Sequence, residues 1–215
     1  MVDRKEFLRQ TALFNAIGAA FQRALIYGDK NDNGLKDQVK RDLEGHLRRI
    51  ETRYQRNVSS EKHLQTISGV AKNMSNKHAH ILKNGRFRVG IAQKAVNIYL
   101  KLLWCYGWIP EPPHCPIDSI VLAKVGDRIT KWTIMDDIED YRTVIERIQA
   151  YIRQAGLKMS LSKWELYVWN NRDVGGPQLR PPDRESPGGK PLGFRFLFLA
   201  GGFLSWPRQD SRWQQ

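Results

Sequence analysis

Cysteine is nearly absent: the 215 residues hold two, Cys105 and Cys115. Two thiols make no disulfide framework, so the fold must rest on its core, and a reducing, cytoplasmic setting is expected. No apolar run reaches the roughly 18–20 residues that cross a bilayer. The longest, FRFLFLAGGFLSW over 194–206, is short and is broken by Arg195 and two glycines. The opening MVDRKEFLRQ lacks the composition of a signal peptide. Alternating apolar and polar residues, the mark of half-buried strands, form no convincing run. CxxC pairs, a P-loop and GxSxG are missing too. The most telling absence is of one charge sign: no Asp or Glu occurs between Lys62 and Pro110.

What is present is an excess of positive charge, +13 overall with a pI near 9.9. Such an excess favours polyanionic partners, nucleic acid or an anionic surface, and says little about fold. The acid-free window concentrates it, with Lys62, Lys72, Lys77, Lys83, Arg86, Arg88, Lys94 and Lys101 beside His63, His78 and His80. No lysine tract occurs, so the charge is expected on a folded surface.

Apolar spacing predicts helices over about 3–27, 34–56, 60–83, 87–106 and 138–155, with a short helix or strand near 116–125 and a short helix near 162–170. In the first, Phe7, Leu8, Ala12, Phe14, Ile17, Phe21 and Leu25 recur near helical spacing behind Asp3 as cap. Thr133 and Asp136 have capping-box-like spacing before the sixth, and Ser162 is placed to open the last. WIPEPPHCP reads as an extended connection, because proline disfavours helix in the residue before it. The fold expectation is all-α: a single domain of six to seven helices over 1–170. Over 171–215, prolines and glycines and an aperiodic apolar end read as a linker and an irregular or disordered tail.

The helix GIAQKAVNIYLKLLWC, residues 90–105, carries a narrow polar stripe of Gln93, Lys94, Asn97 and Lys101. If it faces solvent, Lys94, Lys101, Arg86 and Arg88 would hold phosphate, Asn97 and Gln93 would orient, and Trp104 would stack on a base. Asp118 and Glu165 are the carboxylates best placed for acid–base or Mg²⁺ work if the chain is a nuclease or glycosylase. Asp118 follows Pro116 in a first helical turn, and Glu165 sits among aromatics whose burial would raise its pKa. Cys105, His114 and Cys115 are too few and too awkwardly spaced for zinc, and DKNDNG over 29–34 has Lys40 where a calcium loop needs Glu. No metal or other cofactor is expected, save Mg²⁺ if the chain is a nuclease.

Two resemblances follow. Gln93, Lys94, Asn97 and Lys101, then Pro116 and Asp118, then Trp132, Asp136 or Asp137, and Tyr141 resemble a family of bacterial and phage-borne helical proteins that has no assigned reaction. The match spans roughly 86–170 and implies one helical domain in a setting of phage defence or mobile elements. Arg41 and His46, in RDLEGH, resemble the R-x4-H signature of HEPN ribonucleases. That resemblance implies metal-independent RNA cleavage, with His as acid or base and Arg on the phosphate across a homodimer. On an unbroken helix, however, the two side chains stand about 140° apart. The reading carried forward is a nucleic-acid-binding protein, for DNA or RNA, using the acid-free surface. The alternatives are the HEPN-like ribonuclease and a protein- or membrane-interaction module that docks through its apolar C-terminal segment.

Overall fold

The computed structural model describes residues 3–22, 24–29 and 32–171, and among them the architecture is all-α. Seven helices follow one another: α1 (Arg4–Phe21), α2 (Asn33–Arg53), α3 (Ser60–His78), α4 (Val89–Cys105), α5 (Ser119–Lys124), α6 (Ile138–Gln154) and α7 (Leu161–Asn170). The expectations for 172–215 lie outside the described residues. No described helix is long and apolar enough to cross a membrane.

The starts are set by side-chain caps that satisfy otherwise orphaned backbone N–H groups. Asp3 caps α1, Asp32 caps α2, Ser59 caps α3 and Asp118 caps α5. Two expected starts move. Asp137, not the Thr133–Asp136 pair, caps α6, because residues 132–134 form a separate 3-10 turn. Ser160 caps α7, leaving Ser162 buried, where its hydroxyl donates to the Pro112 carbonyl at 2.7 Å. Gly156, at φ +67°, ends the α6 turn in the left-handed region that glycine enters without strain.

α4 is the hub. Twelve of its 17 residues are buried, and α1, α2, α3, α6 and the 132–134 turn all pack on it. Its contact with α1 runs along Ala12, Ala16 and Ala20, whose small side chains let two helices approach closely. That choice corrects the expected α1 face: Phe7, Phe14 and Leu25 are exposed, and the alanine row is buried. Glu51 of α2 ties this side together, accepting from Arg9 of α1 at 3.1 Å and from the Tyr99 hydroxyl of α4 at 2.7 Å.

Gly90 begins the hub helix where a neighbouring loop comes closest. Its N–H donates to the Met135 carbonyl at 2.9 Å, and a Cβ there would lie 1.7 Å from the Trp132 carbonyl oxygen. Only glycine fits.

Candidate functional site

Because α4 is surrounded, its polar stripe points into protein. Gln93 and Asn97 have no exposed surface, and Lys94 is 8% exposed. The sequence reading placed these side chains in solvent; the structure gives each a partner on another element.

Gln93 clamps the proline-rich connection, donating from Nε2 to the Ile117 carbonyl (2.8 Å) and accepting the Ile117 N–H at Oε1 (3.0 Å). Asn97 Nδ2 donates to Gln93 Oε1 (3.2 Å) and to the Tyr141 hydroxyl of α6 (3.0 Å). Asn97 Oδ1 can only accept, so His63 of α3 must carry its proton on Nε2, 2.8 Å away. His63 Nδ1 then accepts from the Tyr54 hydroxyl at 2.6 Å. Tyr141, already an acceptor, donates to His114 Nδ1 at 3.1 Å, and His114 Nε2 donates to the Ser60 hydroxyl at 2.7 Å. One proton arrangement therefore satisfies every member from Tyr54 to Ser60. Both imidazoles are neutral. Burial pushes His63 down to about 4 and His114 to about 2, the latter also disfavoured by the His63 ring at 4.7 Å and by Arg142.

The two lysines of the stripe are met by the two candidate carboxylates. Lys94 Nζ lies 3.6 Å from Asp118 Oδ2 and 4.2 Å from the centre of the Trp132 ring. Asp118 is also occupied as a cap, accepting the Ile120 and Val121 N–H groups. Lys101 Nζ donates to both oxygens of Glu165, at 2.9 and 3.0 Å, with the Trp169 ring 5.2 Å away. Burial raises the Glu165 carboxyl, as expected from its aromatic setting, and Lys101 opposes the rise. These are interior ion pairs, and carboxylates so engaged are poor Mg²⁺ ligands or general acids. Trp104 packs half-buried against the core. Of the expected phosphate contacts, Arg88 is largely covered, 3.8 Å from Asp136, and donates towards the Thr133 carbonyl. Arg86 alone stays mostly exposed, 3.9 Å from Asp136.

No family model, no curated protein and no solved structure matches this chain. What it does must therefore be argued from its own surface.

The structure does not join Arg41 and His46. Arg41 is exposed and bonds Gln38 at 2.8 Å on its own helix, while His46 is half-buried towards α3. The His46 pKa is lowered, first by burial and then by Arg49, with Lys77 and His78 adding to the effect. Asp42 opposes the fall, and these groups lie along the seam of α2 and α3, where exposed cations gather. The helices run antiparallel, fixed by Arg53 Nη1 donating to Thr66 Oγ1 (3.0 Å) and by Asp42 accepting from Lys77 (2.8 Å) and His78 (2.9 Å). Arg49, Arg53, Arg56, Lys62 and Lys77 are all exposed there. Among the described residues of this seam, Asp42 is the opposing carboxylate. Across α3, by contrast, Arg142 pairs with Glu61 (3.0 Å) and Glu139 (2.9 Å), so that flank is balanced.

Residues 1–171 hold 28 Lys and Arg against 18 Asp and Glu, a net +10 of the total +13, so most of the excess belongs to this part of the chain. Sequence reasoning missed Arg49 and Arg53 because they lie outside the acid-free window. It also missed His63, His114 and Tyr141 as a network. One signal was available: His63 falls at the helical spacing of Leu64, Ile67, Val70 and Met74, so it had to be buried and bonded.

Proposed function

We propose that this protein binds nucleic acid through the seam of α2 and α3, not through the polar stripe of α4. The observation that carries the reading is the row of exposed cations Arg49, Arg53, Arg56, Lys62 and Lys77 against one carboxylate, Asp42. Arginine and lysine so placed neutralise phosphates and release condensed counterions, which drives binding without reading sequence. Two depressions along α3, of about 270 and 330 Å³, are shallow and open. A shallow charged face suits an extended polyanion better than a small substrate. The resemblance to phage-borne helical proteins supports a setting in phage defence or mobile-element biology.

Fluorescence anisotropy with a labelled oligonucleotide tests the reading. Affinity should fall steeply with salt, and Arg49→Glu/Arg53→Glu should weaken binding and flatten the log–log salt slope by about two contacts' worth, ~0.9 each. Arg153→Glu/Lys158→Glu, an equal change of charge at exposed sites on and just beyond the C-terminal end of α6, serves as the control. Equal weakening by both pairs would reduce the effect to net charge and reject the site.

A further inference from the structure

The outward crest of α3 has a composition unlike the rest of the surface. Taking 100° per residue, Lys62, Gln65, Gly69, Lys72, Asn73 and Asn76 fall within an arc about 100° wide. It lies opposite the buried row of Leu64, Ile67, Ala71 and Met74. Five of the six are exposed, and Gly69 is partly so. Carboxylates are absent from this arc; Glu61 points to the α6 flank, where Arg142 holds it. Aromatic residues are absent from it as well, so no platform exists on which an unstacked base could lie.

Gly69, like Gly18 of α1, is a helical glycine that the packing around it does not require. A Cβ there would meet nothing within 4 Å, and glycine inside a helix costs about 0.5–1 kcal/mol relative to alanine. A glycine at this open, outward position leaves room for another molecule's surface to come close to the backbone. With Gln65, Ser68 and Lys72 it lines one side of a shallow depression whose other side is Ile138, Glu139 and Arg142, with Glu61 at its end.

We infer that this crest reads base edges in the major groove of duplex DNA. The inference rests on the nucleic-acid reading above, whose phosphate contacts lie along one side of the same helix. A helix 10–12 Å across fits a major groove about 12 Å wide, and α3, at 19 residues, is about five turns or about 28 Å long. Asn and Gln present a donor and an acceptor together, the pair that matches adenine N7 and N6, while Lys72 would reach guanine O6 or N7. Gln65, Asn73 and Asn76 therefore select adenines, with Gly69 letting the base edges approach between them. The deep, narrow major groove of A-form RNA would not admit the helix. Arg49, Arg53 and Lys77 hold the backbone beside it.

The test is selection from a pool of random 30-base-pair DNA duplexes with the full chain, followed by anisotropy on the enriched duplex, its scrambled counterpart, an RNA hairpin and single-stranded DNA. The expected result is an enriched adenine-containing motif, bound about 5- to 150-fold more tightly than the scrambled duplex. Asn73→Ala/Asn76→Ala should abolish the enrichment. Gly69→Ala should weaken binding to the motif while leaving the melting temperature equal or higher, so loss of fold cannot account for the change. Salt-dependent binding to the pool with no enriched motif would overturn this inference and leave the seam reading standing. Absence of any salt-dependent binding would overturn both. An unchanged motif in the crest variants, or tighter binding to the hairpin or the single strand, would also refute it.

Discussion

Lowering the pH from 7 to 5 should strip this fold of a large part of its stability, and two buried histidines set the amount. Both pKa values lie below the ordinary 6.5, at about 4 for His63 and about 2 for His114. The unfolded chain therefore takes up protons first as pH falls, and stability drops from about pH 6.5 downward. Each group contributes ~1.4 kcal/mol per pH unit below that point, so the two together cost about 4 kcal/mol at pH 5. A domain of this size is typically stable by only about 5–15 kcal/mol. The groups facing them do not soften the effect. His63 meets Tyr54, Asn97 and His114, and His114 meets Ser60, Tyr141 and, at longer range, the Arg142 cation. Half-buried His46 acts in the same direction, and Glu165, whose pKa is raised, acts against it. The carboxylates held low, Glu6, Asp42, Glu51 and Asp127, lose their contribution only at lower pH. Urea unfolding followed by tryptophan fluorescence at pH 7, 6 and 5 measures the change. A difference under about 1 kcal/mol between pH 7 and 5, or an NMR titration of either imidazole in that range, would refute the proton arrangement assigned to the network.

Two further outcomes follow from the packing around α4. Lys101→Met leaves Glu165 buried without its partner and should cost about 3–5 kcal/mol, whereas Lys101→Met/Glu165→Leu should recover most of that. Additive losses in a double-mutant cycle by urea unfolding would show that the pair is not the unit. Gly90→Ala drives a methyl group into the Trp132 carbonyl and should cost about 1–3 kcal/mol or more, while exposing the Gly90 amide to hydrogen exchange. A melting temperature equal to the parent's would mean that the 132–135 loop does not press on α4 as described.

The helices were legible because their signals are local. Asp3 sits at the end it was expected to mark, and apolar spacing located all seven segments. The buried face of α1 was not legible. Its pattern offers large side chains at Phe7 and Phe14 and small ones at Ala12, Ala16 and Ala20, and hydrophobicity alone favours the former. Close approach to α4 favours the latter, a property of the partner helix that the α1 sequence does not contain. The α4 stripe failed for a related reason: a helical period separates polar from apolar, but it does not distinguish water from a polar interior.

The acid-free stretch between Lys62 and Pro110 is continuous in sequence and split in space. Its α4 half is enclosed, and an enclosed ammonium is tolerated only beside a compensating charge. Lys94 and Lys101 therefore draw Asp118 and Glu165 from 24 and 64 residues away, across the proline-rich connection and onto α7. Its α3 half keeps Lys62, Lys72 and Lys77 on the outer side, where water solvates a cation and a partner is not obligatory; of these, Lys77 meets Asp42. The same lack of acids thus produces neutralised ion pairs in one helix and net positive charge in its neighbour. Burial, not local composition, decides which cations are left to meet a phosphate. This is why Arg49 and Arg53, outside the window but beside α3, stay on the exposed surface proposed to meet phosphate, while Lys94 and Lys101, at its centre, belong to the core.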